Sequence, residues 1–141
     1  MKTIKIYTDG SCIQSTGVGG WATVSMQETM CGCKTHTTNN EMELLGIYYA
    51  LILSEDYEKI HIYTDSEYAY MTLTRWAYDW ETRGWRKRSS GQIKNLELIQ
   101  EIFKKVKNNP KVSFHKVKAH SGNKMNERAD KLAKKMAYQE Y

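Results

Sequence analysis

No apolar run in this sequence approaches the ~18 residues that a membrane-spanning helix requires. The longest candidate, Leu44 to Leu53, is interrupted by Gly46 and flanked by Glu43 and Glu55, so no membrane partner is expected. Proline is nearly missing. Pro110 is the only one, and no Gly/Ser/Pro-rich linker divides the 141 residues. That length suits one hydrophobic core and leaves little room for a second, so a single domain over 1–141 is expected. Cysteine is scarce and odd in number, at Cys12, Cys31 and Cys33. Cys31-x-Cys33 lacks zinc-ribbon spacing and has no second pair to complete a site. Reduced thiols in a cytoplasmic protein are the expectation. Met1-Lys2-Thr3-Ile4-Lys5 has no apolar block after it, which does not fit a signal peptide.

What is present is an apolar fraction of 40%, enough for a packed interior and too high for a disordered chain. The formal net charge is +5, which favours a polyanionic partner. Thr3 to Thr8 alternates β-branched, aromatic and polar residues and reads as a strand, with Asp9-Gly10-Ser11 expected to end it. Trp21 to Met26 and about Met30 to Thr37 read as two more strands, hairpinned through Gln27-Glu28-Thr29. Thr38-Asn39-Asn40-Glu41 fits a capping box opening a helix to about Ser54, with Glu41 reaching back to the cap. A strand over 59–64 follows, then helical periodicity from Glu67 to Arg75 and from Asn95 to Asn108. Val112 to Lys118 is the last strand and Asn126 to Tyr138 the last helix. The order β-β-β-α-β-α-α-β-α predicts an α/β fold. Its five-stranded mixed sheet would have β1, β2 and β3 antiparallel, β4 and β5 parallel through crossovers, and helices packed on it.

One internal echo concentrates the chemistry. Ile6-Tyr7-Thr8-Asp9 and Ile62-Tyr63-Thr64-Asp65 are the same tetrapeptide. Side by side and parallel, such strands would bring Asp9 and Asp65 together at their carboxyl ends, where open α/β sheets bind ligands. Asp often simply terminates a strand, but the matched pair argues for more. Glu43, in the first turn of the helix opened by Thr38, could complement the helix dipole or point toward the two aspartates. Asp130 borders the apolar stripe of the final helix, where a carboxylate needs a partner or a cation. An ion pair with Lys134 at i+4 is its solvated alternative. Four clustered carboxylates without a Cys or His set suit a hard cation, Mg²⁺ or Mn²⁺. Two such ions about 3.5–4 Å apart can activate water and stabilise the leaving oxygen of a phosphodiester. A basic protein with an acidic cluster is consistent with nucleic acid only if metal neutralises the cluster.

Several segments together resemble type 1 ribonuclease H over nearly the whole chain. They are Tyr7-Thr8-Asp9-Gly10-Ser11-Cys12, Gly19-Gly20-Trp21-Ala22, Thr38-Asn39-Asn40-Glu41-Met42-Glu43-Leu44, Thr64-Asp65-Ser66, Lys118-Ala119-His120-Ser121-Gly122 and Asn126-Glu127-Arg128-Ala129-Asp130. The resemblance implies a ribonuclease H-like fold. It also implies a monomeric endonuclease that cuts the RNA strand of an RNA/DNA hybrid to leave 5′-phosphate and 3′-hydroxyl ends. It implies that Asp9 bridges two metal ions, that Asp130 holds the ion activating water, and that Glu43 and Asp65 hold the ion on the leaving-group side. His120 is similar to the family's mobile histidine, which assists proton transfer or product release. Glu127 matches a carboxylate near the metals, though its position also suits a helix-start role.

Substrate contacts carry over in the same way. Cys12, Asn39 and Asn40 match positions that meet the hybrid's minor groove, where the 2′-hydroxyl marks RNA. Thr38 and Asn95 match a pocket for a DNA-strand phosphate. Residues about 75–94 resemble a basic protrusion, with Trp76, Tyr78, Trp80 and Trp85 beside Arg83, Arg86, Lys87 and Arg88. Cations interleaved with aromatics suit backbone attraction and base stacking. Trp76 and Trp80 are expected to pack the protrusion onto the domain, and Trp85 to be the freer ring. Three positions depart from the family pattern. Ser15 is the nearest polar residue to where the family commonly has Asn; Glu67 stands for a frequent Gln, and Ala119 for the usual Gly. Two rival readings stand at this point: another nuclease or strand-transfer enzyme of ribonuclease H-like fold, or a non-catalytic hybrid-binding module cut from a larger polypeptide. The intact carboxylates argue against the second, and the Met1 start and short tail lead us to expect a free-standing chain.

Overall fold

A computed structural model describes residues 2–89 and 91–138. The ends of the expected domain span, Met1 and 139–141, and Ser90 of the expected protrusion lie outside the described residues. The strands β1 (Thr3–Ile13), β2 (Val18–Val24), β3 (Thr29–Lys34), β4 (Lys59–Thr64) and β5 (Val112–Lys116) form one sheet in the order β3-β2-β1-β4-β5. β1–β2 and β2–β3 pair antiparallel, while β1–β4 and β4–β5 pair parallel. This is the expected mixed sheet.

Along β1 the side chains alternate between two apolar layers. Ile4 and Ile6, with Ile60 and Ile62 of β4, face helix α1 (Asn39–Leu53) and helix α4 (Leu96–Val106). There they bury against Leu44, Ile47, Ile99, Ile102 and Phe103. Helix α5 (Lys124–Tyr138) covers the opposite face, where Ala129 and Ala133 pack on Ala22 and Val24 with Tyr7 beside them. The small residues let α5 come very close to the sheet. A Cβ added at Gly20 would lie 2.2 Å from the Ala133 carbonyl oxygen, so any larger residue there would push the helix away. Between β4 and α4 the chain is helical from α2 (Glu67–Met71) through a π segment (Thr72–Trp76) to α3 (Ala77–Thr82). The expected helix from Glu67 therefore runs past Arg75. Leu73 and Ala77, both buried in the main core, hold it across the join.

Several local expectations are corrected. Asp9-Gly10-Ser11 does not end β1, because β2 continues the ladder through Gly10–Trp21 and Ser11–Gly20 to Ile13–Val18. The tertiary partner overrides the turn tendency of Asp-Gly-Ser. Thr38 caps α1, its hydroxyl accepting from the Glu41 N–H at 3.1 Å. Glu41 does not complete the box: its carboxylate accepts from the Thr37 hydroxyl and pairs with Lys34. β3 stops at Lys34 rather than Thr37, and β5 at Lys116 rather than Lys118, while α5 starts earlier, at Lys124.

Candidate metal centre and nucleic-acid interface

The last parallel couple of β1 and β4 is Thr8–Thr64. Asp9 and Asp65 are the next residues on each chain, so the repeated tetrapeptide brings them side by side. Glu43 arrives from α1 because Gly10 admits the helix backbone. A Cβ at Gly10 would sit 2.3 Å from the Glu43 nitrogen. Asp9, Glu43 and Asp65 each offer a carboxylate oxygen, and these oxygens lie within 4.8 Å of one another. Asp9 is only 4% exposed. Its Oδ1 accepts from the Gly10 N–H at 2.9 Å.

Burial dominates the electrostatics of Asp9 and Glu43. It pushes the Asp9 carboxyl up to about 8, with the neighbouring Asp65 and Asp130 adding to the rise and the Gly10 amide opposing it. Glu43 is raised well above the carboxylate range by the same burial and by Asp9 and Asp65. Its Oε1 is buried and has no hydrogen-bond partner among the described residues. An orphaned buried oxygen facing two more carboxylates costs free energy unless a cation satisfies it. Oxygen-only donors suit Mg²⁺ or Mn²⁺ rather than a thiolate- or imidazole-seeking ion. The residues present fit such a cation.

Asp130 neighbours Asp9 from α5, but it is not one of the close trio. Its Oδ2 pairs with Lys134 at 3.2 Å, so the solvated alternative foreseen from the sequence is realised alongside the proximity to Asp9. Asn126 was a motif residue to which sequence reasoning gave no role. It is 2% exposed and its Nδ2 donates to Asp65 Oδ2 at 3.3 Å, while its own Oδ1 has no partner among the described residues. The available signal was its place one helical turn before Asp130, on the inward face of α5. His120 is exposed, in left-handed backbone at φ 55°. It lines a shallow cleft with Lys124, Glu127, Arg128, Asp130 and Lys131. His120 and Glu127 thus open toward Asp130, outside the close trio. Glu67 turns away to pair with Lys116 at 3.4 Å, and Ala119 is exposed beside His120.

Seven of the residues expected to meet a hybrid fall into two further concavities, while Ser15, Glu67, Lys87 and Arg88 line neither. Cys12, Thr38, Asn39 and Asn40 line one, together with Gln14, Gly17 and Thr37. Asn39 Oδ1 accepts from the Cys12 N–H at 2.6 Å, and the Cys12 thiol donates to the Thr37 carbonyl at 3.3 Å. These bonds tie the β1 end to the α1 start. Ser15 is exposed in the adjacent turn and is not part of this lining; Gln14 occupies that place. Asn95, Trp85 and Arg86 line the second concavity. Asn95 is left-handed at φ 60°, and its Nδ2 donates to the Tyr68 hydroxyl at 3.2 Å.

The protrusion corrects the expectation for its tryptophans. Trp85 packs edge-on against Phe103 with centroids 5.7 Å apart, whereas Trp76 is 40% exposed. The strained φ of 64° at Trp85 turns its ring inward onto α4. Arg86 and Lys87 are exposed, while Arg88 forms a two-pronged pair with Asp79. Cys31 and Cys33 are free, exposed thiols on β3.

The family model for RNase H matches residues 1–138 of this chain. The ribonuclease H of Hahella chejuensis is 39% identical over 137 residues, covering 94% of this chain and 92% of that protein. The ribonuclease H of Ehrlichia ruminantium is 41% identical over 138 residues, covering 95% and 94%. Among solved structures, LC9-RNase H1, described as a type 1 RNase H with the type 2 active-site motif, is 30% identical. It superimposes with a TM-score of 0.79 over 97% of this chain and 72% of its own. A foamy viral protease-reverse transcriptase in complex with dsDNA shares the fold at a TM-score of 0.85, with 19% identity over 97% of this chain and 95% of its own. The chain belongs to the ribonuclease H family.

Proposed function

We propose that this protein is an endoribonuclease that hydrolyses the RNA strand of RNA/DNA hybrids, leaving 5′-phosphate and 3′-hydroxyl ends. The observation that carries the reading is the close carboxylate trio of buried Asp9 with partly buried Glu43 and Asp65, in which Glu43 Oε1 has no hydrogen-bond partner among the described residues. In a protein of net charge +5, such a cluster meets a phosphodiester only through bound cations. When two divalent ions, Mg²⁺ or Mn²⁺, are bound by Asp9, Glu43, Asp65 and Asp130, they supply an activated water and charge stabilisation for the leaving oxygen. Asp9 neighbours Glu43, Asp65 and Asp130 and would be the ligand common to both ions. Asn126 holds Asp65 in place by its hydrogen bond. His120, at the mouth of the Asp130 cleft, moves a proton or helps the product leave.

Hybrid binding is assigned to Cys12, Asn39 and Asn40 in the minor groove, and to Thr38 and Asn95 at a DNA-strand phosphate. Arg86, Lys87 and Arg88 attract the backbone, and Trp85 shapes their platform. Ser15 and Glu67, at the positions that depart from the family pattern, are retained as peripheral contacts. The protein acts as a monomeric, cytoplasmic, single domain over 1–141 with a basic protrusion at about 75–94. No helix among the described residues is long and apolar enough to cross a membrane. The test is to incubate the protein with end-labelled RNA/DNA hybrid, duplex DNA and duplex RNA, in Mg²⁺, Mn²⁺ or EDTA. Metal-dependent cutting of the hybrid's RNA alone is expected. Tight hybrid binding without cutting would show a passive module, and cutting of duplex DNA would point to another nuclease of this fold.

A further inference from the structure

Helix α5 packs across β1, β2 and β3, and His61 on β4 and His115 on β5 are partly exposed on the same side of the sheet. His61 Nδ1 and His115 Nε2 are 3.0 Å apart. Ser113 Oγ lies 2.9 Å from the first and 3.3 Å from the second. Three lone-pair atoms thus form a triangle with nearly equal sides. A hydroxyl proton and one imidazole proton can serve two of its sides well, but not all three. A cation held at about 2.0–2.1 Å from each atom spans donors from ~2.8 Å apart at right angles to ~3.4 Å apart at the tetrahedral angle. The observed sides fall in that interval.

The rings are also held in place. His115 stacks on Tyr63 with centroids 4.6 Å apart and 20° between planes, and Tyr63 stacks on Tyr7 at 4.5 Å and 12°. Lys5, the register neighbour of His61 on β1, adds a repulsive charge to the site. Only an ion with strong imidazole affinity would overcome it, which excludes Mg²⁺ and favours the zinc, nickel and copper class. His61 is four residues before Asp65, about 13 Å along an extended strand, so this triangle is separate from the carboxylate trio.

We infer that His61, His115 and Ser113 form a second metal site, for a divalent transition metal, that clips edge strand β5 to β4. Its remaining positions open to solvent, and it is independent of the proposed nuclease chemistry. The test titrates Ni²⁺ into the reduced full chain by calorimetry, with excess Mg²⁺ present to occupy the carboxylate trio. One equivalent is expected to bind. His61→Gln or His115→Gln should weaken binding by about tenfold or more, and Ser113→Ala by less. Cys31→Ser with Cys33→Ser should leave it unchanged, since those thiols lie on β3 at the far edge. Electron paramagnetic resonance of the Cys31→Ser, Cys33→Ser protein, whose exposed thiols can no longer reduce the ion, with one equivalent of Cu²⁺ should show coupling to two imidazole nitrogens, a readout that leaves both histidines in place. Absence of one-equivalent binding, indifference to both histidine substitutions, loss in the cysteine variant, or a copper spectrum without paired nitrogens would each overturn the site.

Discussion

Asp9 and Asp65 occupy matching positions on the neighbouring parallel segments β1 and β4, each one residue beyond the last paired couple, Thr8 and Thr64. This register forces two carboxylates together in a partly buried place, and Glu43 makes a third. Burial and this crowding together raise the cost of ionising Asp9 and Glu43. That cost makes the metal-free protein sensitive to pH.

The sign follows from Asp9, whose carboxyl is raised from 3.8 to about 8. A group raised in the folded state holds its proton there while the unfolded chain has released it. Its stabilising contribution is complete below about pH 4 and is lost as pH rises toward about 8. In EDTA, the melting temperature should therefore fall across that window through this site. Mg²⁺ should raise it strongly at pH 8 and little at pH 5, as read by thermal denaturation. A Mg²⁺ effect of equal size at both values would show that the trio is not the ion's site.

Gly10→Ala places a methyl 2.3 Å from the Glu43 nitrogen and the Met42 carbonyl carbon. Both are backbone atoms of α1 and cannot swing aside. Overpacking of this kind costs about 1–3 kcal/mol, and here it also moves Glu43 off Asp9. Denaturant unfolding should show the loss, and the Mg²⁺ concentration for half-maximal stabilisation should rise. Unchanged values for both would refute the close approach.

Asn126→Ala removes the amide that holds Asp65 Oδ2. Loss of such supporting hydrogen bonds typically weakens metal sites by about 10–100-fold. The Mg²⁺ requirement for cleavage should rise by that order, while hybrid affinity in EDTA stays constant. A purely structural role would instead lower stability without moving the metal requirement.

Arg86→Ala and Lys87→Ala remove exposed cations at the protrusion. Each lost phosphate contact should lower the slope of log affinity against log salt by about 1. Hybrid binding should weaken, while the turnover rate at saturating hybrid stays close to that of the unsubstituted protein. A fall in that saturated rate with the slope unchanged would place these residues elsewhere in the mechanism.

Much of this was legible before the fold. The duplicated Ile-Tyr-Thr-Asp said what a parallel pairing of β1 with β4 would bring together, and the observed Thr8–Thr64 register is that pairing. The continuation of β1 through Asp9-Gly10-Ser11 was not legible, since it depends on β2 supplying partners from 18–24. Trp85 and Trp76 exchanged expected roles for a similar reason. A left-handed backbone at Trp85 decides which ring meets Phe103, and side-chain type does not report it. Glu41 left the helix cap because Lys34 and Thr37, brought close by β3, compete for its oxygens. Asn126 escaped notice because a buried amide inside a helix declares its partner only once Asp65 is in place.

The most direct measurement is on Asp9→Asn, which keeps the shape of the buried site and removes its shared charge. Hybrid cleavage in Mg²⁺ should vanish while hybrid affinity in EDTA is retained, and the pH-dependent loss of metal-free stability should shrink. Cleavage at the rate of the unsubstituted protein would contradict the assignment of Asp9 as the centre of the site.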